Sequence, residues 1–226
     1  MASEIPKNLI SNITACDLSV TSQILFQKNR ELNNLSQDNR LKHVLEDANN
    51  LMLKSYGECS YSVIDLDPYG SAVPFLYSAL KGIANNGLLC ITCTDTRVLC
   101  GADRHKCFYL YGSVRNGGYT IEETALRILM ATISRMAAQF GKTIKPLLSL
   151  QNDFYIRVFV QVKEDRKGCW ELMNSHGIEL FNEEGLSIFH RFGVTKEGKK
   201  NPSPQSLPEN SSQKNISKLI RWTFMA

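Results

Sequence analysis

The stretch Gly87-Leu88-Leu89-Cys90-Ile91-Thr92-Cys93-Thr94 constrains the fold more than any other. It is apolar almost without a break. A strand with one wet face alternates apolar and polar residues, whereas a near-continuous apolar strand is buried on both sides of its sheet. The chain is therefore expected to contain a sheet covered on two faces by helices, the arrangement of α/β proteins.

Period and punctuation elsewhere agree with this. A strand is expected over residues 12–17 (NITACD), followed by a helix over 19–33 with Ser19 as its cap. Short strands are expected at 42–45, running into Glu46-Asp47-Ala48-Asn49, and at 61–66, closing on Asp67. Residues 72–84 place Val73, Leu76, Leu80 and Ile83 on one helical face. Residues 95–118 show neither period and are expected to be irregular. The clearest helix is 121–140. Glu122 and Glu123 lie in its first turn, where the dipole favours acids; Ala125, Ile128, Leu129, Ile133, Met136 and Ala137 form a stripe, and Gly141 suits its C-terminal cap. Only Gln151-Asn152-Asp153 separates the strands expected at 144–150 and 154–162, enough for a hairpin and too little for a crossover. Parallel strands ending in acids, closed by an antiparallel hairpin, describe the sheet of class I S-adenosylmethionine methyltransferases.

Ligands of open α/β sheets bind beyond the carboxyl ends of the strands, and three such ends carry Asp17, Asp47 and Asp67. An acid in the position of Asp17 can accept both hydroxyls of a ribose. Asp47-Ala48 suits an adenine edge, the carboxylate accepting from the exocyclic amine and the alanine keeping the site shallow and apolar. Taken singly, each aspartate fits an ordinary strand-end turn or helix cap better than a ligand contact; together they favour a nucleoside. At Asp67-Pro68-Tyr69 the chemistry is more specific. The amine of a nucleobase is a weak nucleophile because its lone pair is delocalised into the ring. A carboxylate and a neighbouring carbonyl, held by a proline-restricted turn, can grip its hydrogens and aim the lone pair at a sulfonium methyl, while the aromatic ring stacks on an extruded base.

The segments ITACDLS, DANNLM, VIDLDPYGSAVPFLYSAL, GLLCITCTDTRVLCG and ETALRILMATISRMAAQFGKTIKPLLSLQNDFYIRVFVQV, in this order over about residues 5–162, resemble the tRNA guanine-26 N2-dimethyltransferases. The resemblance implies S-adenosyl-L-methionine as methyl donor and, as acceptor, the N2 amine of a tRNA guanine, methylated twice. It implies that Asp17 holds the ribose, that Asp47 and Ala48 hold the adenine, and that Asp67 binds and deprotonates the guanine amine in a pocket shaped by Pro68 and Tyr69. In that family another strand and a glycine-containing loop precede the strand ending in Asp17. Only sixteen residues precede Asp17 here, and MASEIPKNLISN has no glycine. The expected sheet therefore lacks its usual central first strand, and a protein partner or a further segment is expected to complete it. Thr96-Arg97, and the absence of a histidine before Glu122, also depart from the family pattern.

At 226 residues and 43% apolar, the chain can bury one sizeable core. Residues 1–165 are expected to form a partial methyltransferase catalytic domain, 166–195 a short appended helix and strand, and 196–226 a disordered basic tail. Residues 1–190 carry a net charge of −1 and residues 191–226 one of +5, so the basic balance lies in the tail. No apolar run is long enough to span a membrane, the start lacks the regions of a signal peptide, and seven cysteines in no small-secreted pattern point to reduced thiols; an intracellular place and no membrane role are expected. Arg97, Arg104, Lys106 and Arg115 around Tyr109 and Tyr111 suit either RNA contact or a solvated loop. No metal is expected: Cys90 and Cys93 should point to opposite faces of a strand, and Cys100, His105 and Cys107 lack a fourth ligand. His43, His176 and His190 lack carboxylate or nucleophile neighbours, which disfavours a hydrolase. Two functions remain in view, an RNA methyltransferase whose site is completed from elsewhere and an inactive family member that retains tRNA, nucleoside or partner binding. A DNA adenine methyltransferase would share the turn but not the longer resemblance.

Overall fold

The computed structural model describes residues 10–57, 61–114, 121–181, 187–191 and 222–224. In chain order the elements are β1 (Ile13–Asp17), α1 (Val20–Leu32), β2 (Leu41–Leu45), α2 (Ala48–Lys54), β3 (Tyr61–Leu66), α3 (Val73–Gly82), β4 (Ile83–Cys93), α4 (Thr96–Leu99), α5 (Arg104–Tyr111), α6 (Ile121–Ala138), β5 (Lys142–Asn152), β6 (Tyr155–Glu164), α7 (Gly168–Ser175), β7 (His176–Phe181), β8 (Ser187–Arg191) and β9 (Trp222–Phe224).

The first six strands form two sheets. β1 and β2 pair in parallel by themselves, while β3, β4, β6 and β5 lie in that order, with β3 parallel to β4 and the other pairs antiparallel. Among the described residues no strand pairs with the second edge of β1 or of β3. The consequence for packing is large. None of the described residues from 10 to 51 is buried, α1 included, and Val20, Ile24, Leu25 and Leu32 of α1 are exposed. The core belongs to the four-stranded sheet, where Leu89, Ile91, Ile156, Val158 and Val160 meet Leu76 and Leu80 of α3 and Ile128, Leu129 and Ile133 of α6. Residues 89–93 of β4 are all buried, as their apolar run requires.

Three expectations need correction. The helix expected over 72–84 ends at Gly82, and Ile83 is already extended. The buried ammonium of Lys142 explains the stop, because it donates to the carbonyls of Leu80 and Ile83 at 2.7 and 3.2 Å and so satisfies groups that a further turn would have used. Residues 95–118 are not simply irregular, since they contain α4 and α5. Asp103 caps α5 by accepting the Lys106 N–H, and Gly112 ends it with φ +61°. The pattern hid this helix because its only buried residues are Cys107 and Tyr111, a pair four apart with no wider stripe. Trp170, expected to pack, lies exposed on α7, while Leu172 reaches the core. The β5–β6 hairpin pairs Asn152 with Tyr155, leaving Asp153 and Phe154 as a two-residue turn. β7 pairs with β8 and with β9 in a small separate sheet, and Trp222–Phe224 is the described part of the tail.

α2 and α3 pack closely at Gly82, where a methyl group would stand 2.8 Å from the carbonyl oxygen of Met52. Gly82→Ala is expected to destabilise the fold by about 1–3 kcal/mol, because the obstructing atom is backbone and cannot swing aside. Urea unfolding of the variant beside the parent chain measures this.

Candidate active site

Backbone geometry fixes where the strand-end aspartates stand. Asp17 lies opposite Leu45 in the parallel β1–β2 pair, so Asp17 and Asp47 share one end of that sheet. α2 and α3 run in the same direction: Ser78 in mid-α3 donates to Asn49 near the start of α2, and Gly82 at the end of α3 meets Met52 further along α2. The strands leading into these helices therefore finish on one side, and Asp67 joins Asp17 and Asp47 there.

Local hydrogen bonds use one oxygen of each of the first two carboxylates. Asp17 Oδ1 accepts the Ser19 N–H at 2.7 Å, and Asp47 Oδ1, at the N-cap of α2, accepts the Asn49 N–H at 2.7 Å. Ser19, the expected side-chain cap of α1, stands at the cap position, yet its hydroxyl makes no capping bond and Asp17 secures the turn. The remaining carboxylate oxygens of Asp17 and Asp47, the latter beside the partly buried Ala48, have the acceptor character that sugar hydroxyls and an exocyclic amine require.

Past Leu66 the chain turns. Asp67 is exposed, Pro68 is half-buried, and the Tyr69 ring is fully exposed. Arg157 pairs with Asp65 at 2.8 and 3.0 Å; that hydrogen bond is the main reason its pKa is raised, and Asp67 adds a smaller attraction. From Gly70 onward the turn is tied down. Gly70, at φ +82°, donates its N–H to Thr94 Oγ1 at 2.7 Å and accepts the Thr94 N–H at its carbonyl at 2.8 Å. The Ser71 hydroxyl lies 2.7 Å from that of Tyr111, which donates to the Asp95 carboxylate, 2.9 Å from either oxygen. Burial raises the pKa of Asp95, opposed by the Tyr111 hydrogen bond, and burial pushes the Tyr111 phenol far above its ordinary range. The sequence pattern does not single out Ser71 or Thr94, and it sets Tyr111 among the aromatics of the basic group and not at this turn. Asp95 does carry a signal, the same strand-end position that marks the other three aspartates.

The basic group divides. Arg97 and Arg104 line an open cavity of about 580 Å³ together with His105, Phe108 and Val114. Lys106 is exposed but outside that lining, and Arg115 lies outside the described residues. Of the two expected aromatic partners, Tyr109 is exposed and Tyr111 is wholly buried; Phe108 is the ring at the cavity. Cys107, placed by sequence in a loop, is buried on α5. Cys90 and Cys93 are both buried, Cys90 near Asp65 and Arg157 and Cys93 near Ala72 and Tyr111, where burial pushes its thiol up to about 11. His43 lies 3.3 Å from the Ser22 hydroxyl and against Phe26, His176 meets the carbonyls of Leu172 and Ala131, and the His190 side chain is outside the described set. No cluster of three or more His, Cys, Asp or Glu among the described residues is arranged to hold a metal ion.

Residues 1–202 match the family model described as N2,N2-dimethylguanosine tRNA methyltransferase. The chain belongs to this family. The tRNA (guanine(26)-N(2))-dimethyltransferase of Schizosaccharomyces pombe is 45% identical to it over 220 residues, covering 96% of this chain and 37% of the relative. The mitochondrial tRNA (guanine(26)-N(2))-dimethyltransferase of Saccharomyces cerevisiae is 41% identical over 165 residues, covering 72% and 28%. The chain thus spans roughly a third of the length of these curated relatives. A solved structure of Trm1 from Pyrococcus horikoshii with S-adenosyl-L-methionine superposes with a TM-score of 0.73 at 27% identity, covering 85% of this chain and 55% of that one. The class I methyltransferase fold expected for this dimethylguanosine methyltransferase family member is therefore present, divided at the free edges of β1 and β3.

The aspartates differ in what they do for the fold. Asp47→Ala removes a helix cap and is expected to lower unfolding stability by about 0.5–2 kcal/mol. Asp67→Ala, in an exposed turn, is expected to stay within about 0.5 kcal/mol of the parent chain. Parallel denaturant titrations of the two variants read the contrast.

Proposed function

We propose that this chain carries the catalytic turn of an S-adenosyl-L-methionine-dependent tRNA (guanine-26-N2)-dimethyltransferase. The carrying observation is the Asp67-Pro68-Tyr69 turn: its functional side chains face solvent, while the next residue is clamped at both N–H and C=O by Thr94. Family membership supports the substrate class, and the Asp17, Asp47 and Ala48 geometry supports an adenosine seat. On this reading the Asp17 carboxylate accepts the ribose hydroxyls, Asp47 accepts the adenine amine, and Ala48 lies against the base.

The bound donor supplies an electrophilic sulfonium methyl. Asp67 and the Pro68 carbonyl accept the two N2 hydrogens of guanine, which turns the nitrogen lone pair toward the methyl. As the N–C bond forms and the S–C bond breaks, the electron pair of the broken bond stays on sulfur and Asp67 takes a proton from N2. Tyr69, free on both faces, stacks on the extruded guanine. For the second transfer Asp67 first gives its proton to solvent and then accepts, and takes, the one hydrogen left on the monomethylated amine.

Arg97 and Arg104, which line the cavity with Phe108, are proposed to hold the tRNA backbone, with the exposed Lys106 adding charge nearby; Arg115, outside the described residues, is assigned to the same contact from sequence alone. An intracellular place accords with the tRNA substrate and with Cys16, Cys90, Cys93 and Cys169 as free thiols; among the described residues no helix is long and apolar enough to cross a membrane. A second reading, a family member that binds nucleoside or tRNA without turnover, is favoured by the coreless β1–α1–β2 unit. For the methionine half of the donor, the described residues offer the free edges of β1 and β3 where the family has its first strand and glycine-containing loop. The proposed remedy is a further strand, from another segment or a protein partner, pairing with both edges.

The test is transfer of labelled methyl to unmodified tRNA, with digestion to nucleosides. Labelled N2-methylguanosine and N2,N2-dimethylguanosine are expected, with the rate about 10²- to 10⁴-fold lower in Asp67→Ala. Binding of tRNA with no transfer, from folded protein beside an active relative, selects the second reading. Arg104→Ala is expected to weaken tRNA binding across sequences and to lower the slope of log affinity against log salt by about 0.7–1, measured by filter binding over a salt series.

A further inference from the structure

Beside the Gly70–Thr94 clamp, a second set of bonds behind the turn converges on one buried hydroxyl. Tyr111 is the last residue of α5, fully buried, and its backbone is locked from below: its carbonyl accepts from Thr132 Oγ1 at 3.0 Å and from an Arg135 guanidinium nitrogen at 3.1 Å, both on α6. Its hydroxyl donates to Asp95, at the carboxyl end of β4, and accepts from Ser71, the residue that follows Gly70. Ser71 Oγ in turn accepts the Val73 N–H at 3.2 Å, in the first turn of α3. A single residue therefore joins α6 through its carbonyl and, through its phenol, the end of β4, the turn and the start of α3.

We propose that Tyr111 is a positioning residue for methyl transfer, holding the Asp67–Tyr69 turn in register with the strand ends through Ser71 and Asp95. The proposal rests on the function proposed above. Its physical ground is that Asp67 and Tyr69 are exposed and cannot orient themselves, whereas displacement of reacting groups by about 1 Å costs on the order of 10²-fold in rate. The Gly70–Thr94 pair fixes the distance of the turn from β4, but one residue clamped at its two backbone groups still pivots about that line; the Ser71–Tyr111 bond, one residue away, removes the pivot. The phenol stays protonated throughout the working pH range, because burial disfavours its anion, so its donation to Asp95 does not lapse.

Tyr111→Phe retains the buried ring and deletes the hydroxyl; Ser71→Ala and Asp95→Asn alter the same chain of hydrogen bonds while leaving Tyr111 in the core. Steady-state methyl transfer and amide deuterium exchange are measured on all three and on the parent chain. The expected result is a fall of about 10- to 100-fold in kcat for Tyr111→Phe, KM for tRNA within about threefold, and a smaller fall in the same direction for Ser71→Ala. Exchange should rise at the Gly70, Val73 and Thr94 amides and stay unchanged in mid-α6. Unchanged kcat and unchanged exchange at those three amides in both Tyr111→Phe and Ser71→Ala overturn the proposal, as does exchange that rises equally over the whole core, which marks Tyr111 as a packing residue. If the parent chain transfers no methyl, the function proposed above fails; faster exchange confined to the three amides then still supports the positioning role, and unchanged exchange rejects it.

Discussion

Hydrogen bonds along both edges of β4 hold this molecule together. The strand pairs in parallel with β3 and antiparallel with β6, so its backbone groups are satisfied inside a core that water does not reach. Its first residue, Ile83, gives a carbonyl to buried Lys142, which ends α3, and the two residues after it, Thr94 and Asp95, hold the Asp67 turn. One strand thus terminates a helix at its beginning and places the proposed chemistry at its end. β1 and β2 have no such spine beside them, and their burial shows it.

The strands of the four-stranded sheet were legible because each has a strong local cause: β4 from its unbroken apolar run, β5 and β6 from the short polar turn between them, and β3 from its stop at Asp67-Pro68. α5 was not legible, since Cys107 and Tyr111 alone face the core and two buried residues make no stripe. The same fact misplaced Tyr111 among surface aromatics. Spacing gives its face only if the helix is known, and the helix is defined by Asp103 and Gly112, residues equally at home in a loop. At the candidate site the strand-end rule located Asp17, Asp47 and Asp67 but not the network behind them. Ser71, Thr94 and Tyr111 acquire meaning only through contacts 16 to 40 residues apart in sequence.

Asp17 and Asp47 also show why a capping reading and a binding reading of one aspartate need not compete. A carboxylate has two oxygens and about four lone-pair directions. One oxygen fixes the local turn at 2.7 Å, and the other keeps its acceptor capacity. Asp67 departs from this pattern: its orientation is inherited from the Gly70 clamp three positions downstream.

The bare edges of β1 and β3 have a further meaning for the life of the chain in solution. Among the described residues neither edge has a strand partner, and Ile24, Leu25 and Leu32 of α1, in the coreless β1–α1–β2 unit, are exposed. Natural sheets blunt such edges with charge, proline or a covering helix, because a bare edge is a template for any other strand of suitable length. Where no further strand covers these edges, copies of the chain can pair edge to edge, and such pairing propagates without the closure that symmetry would impose.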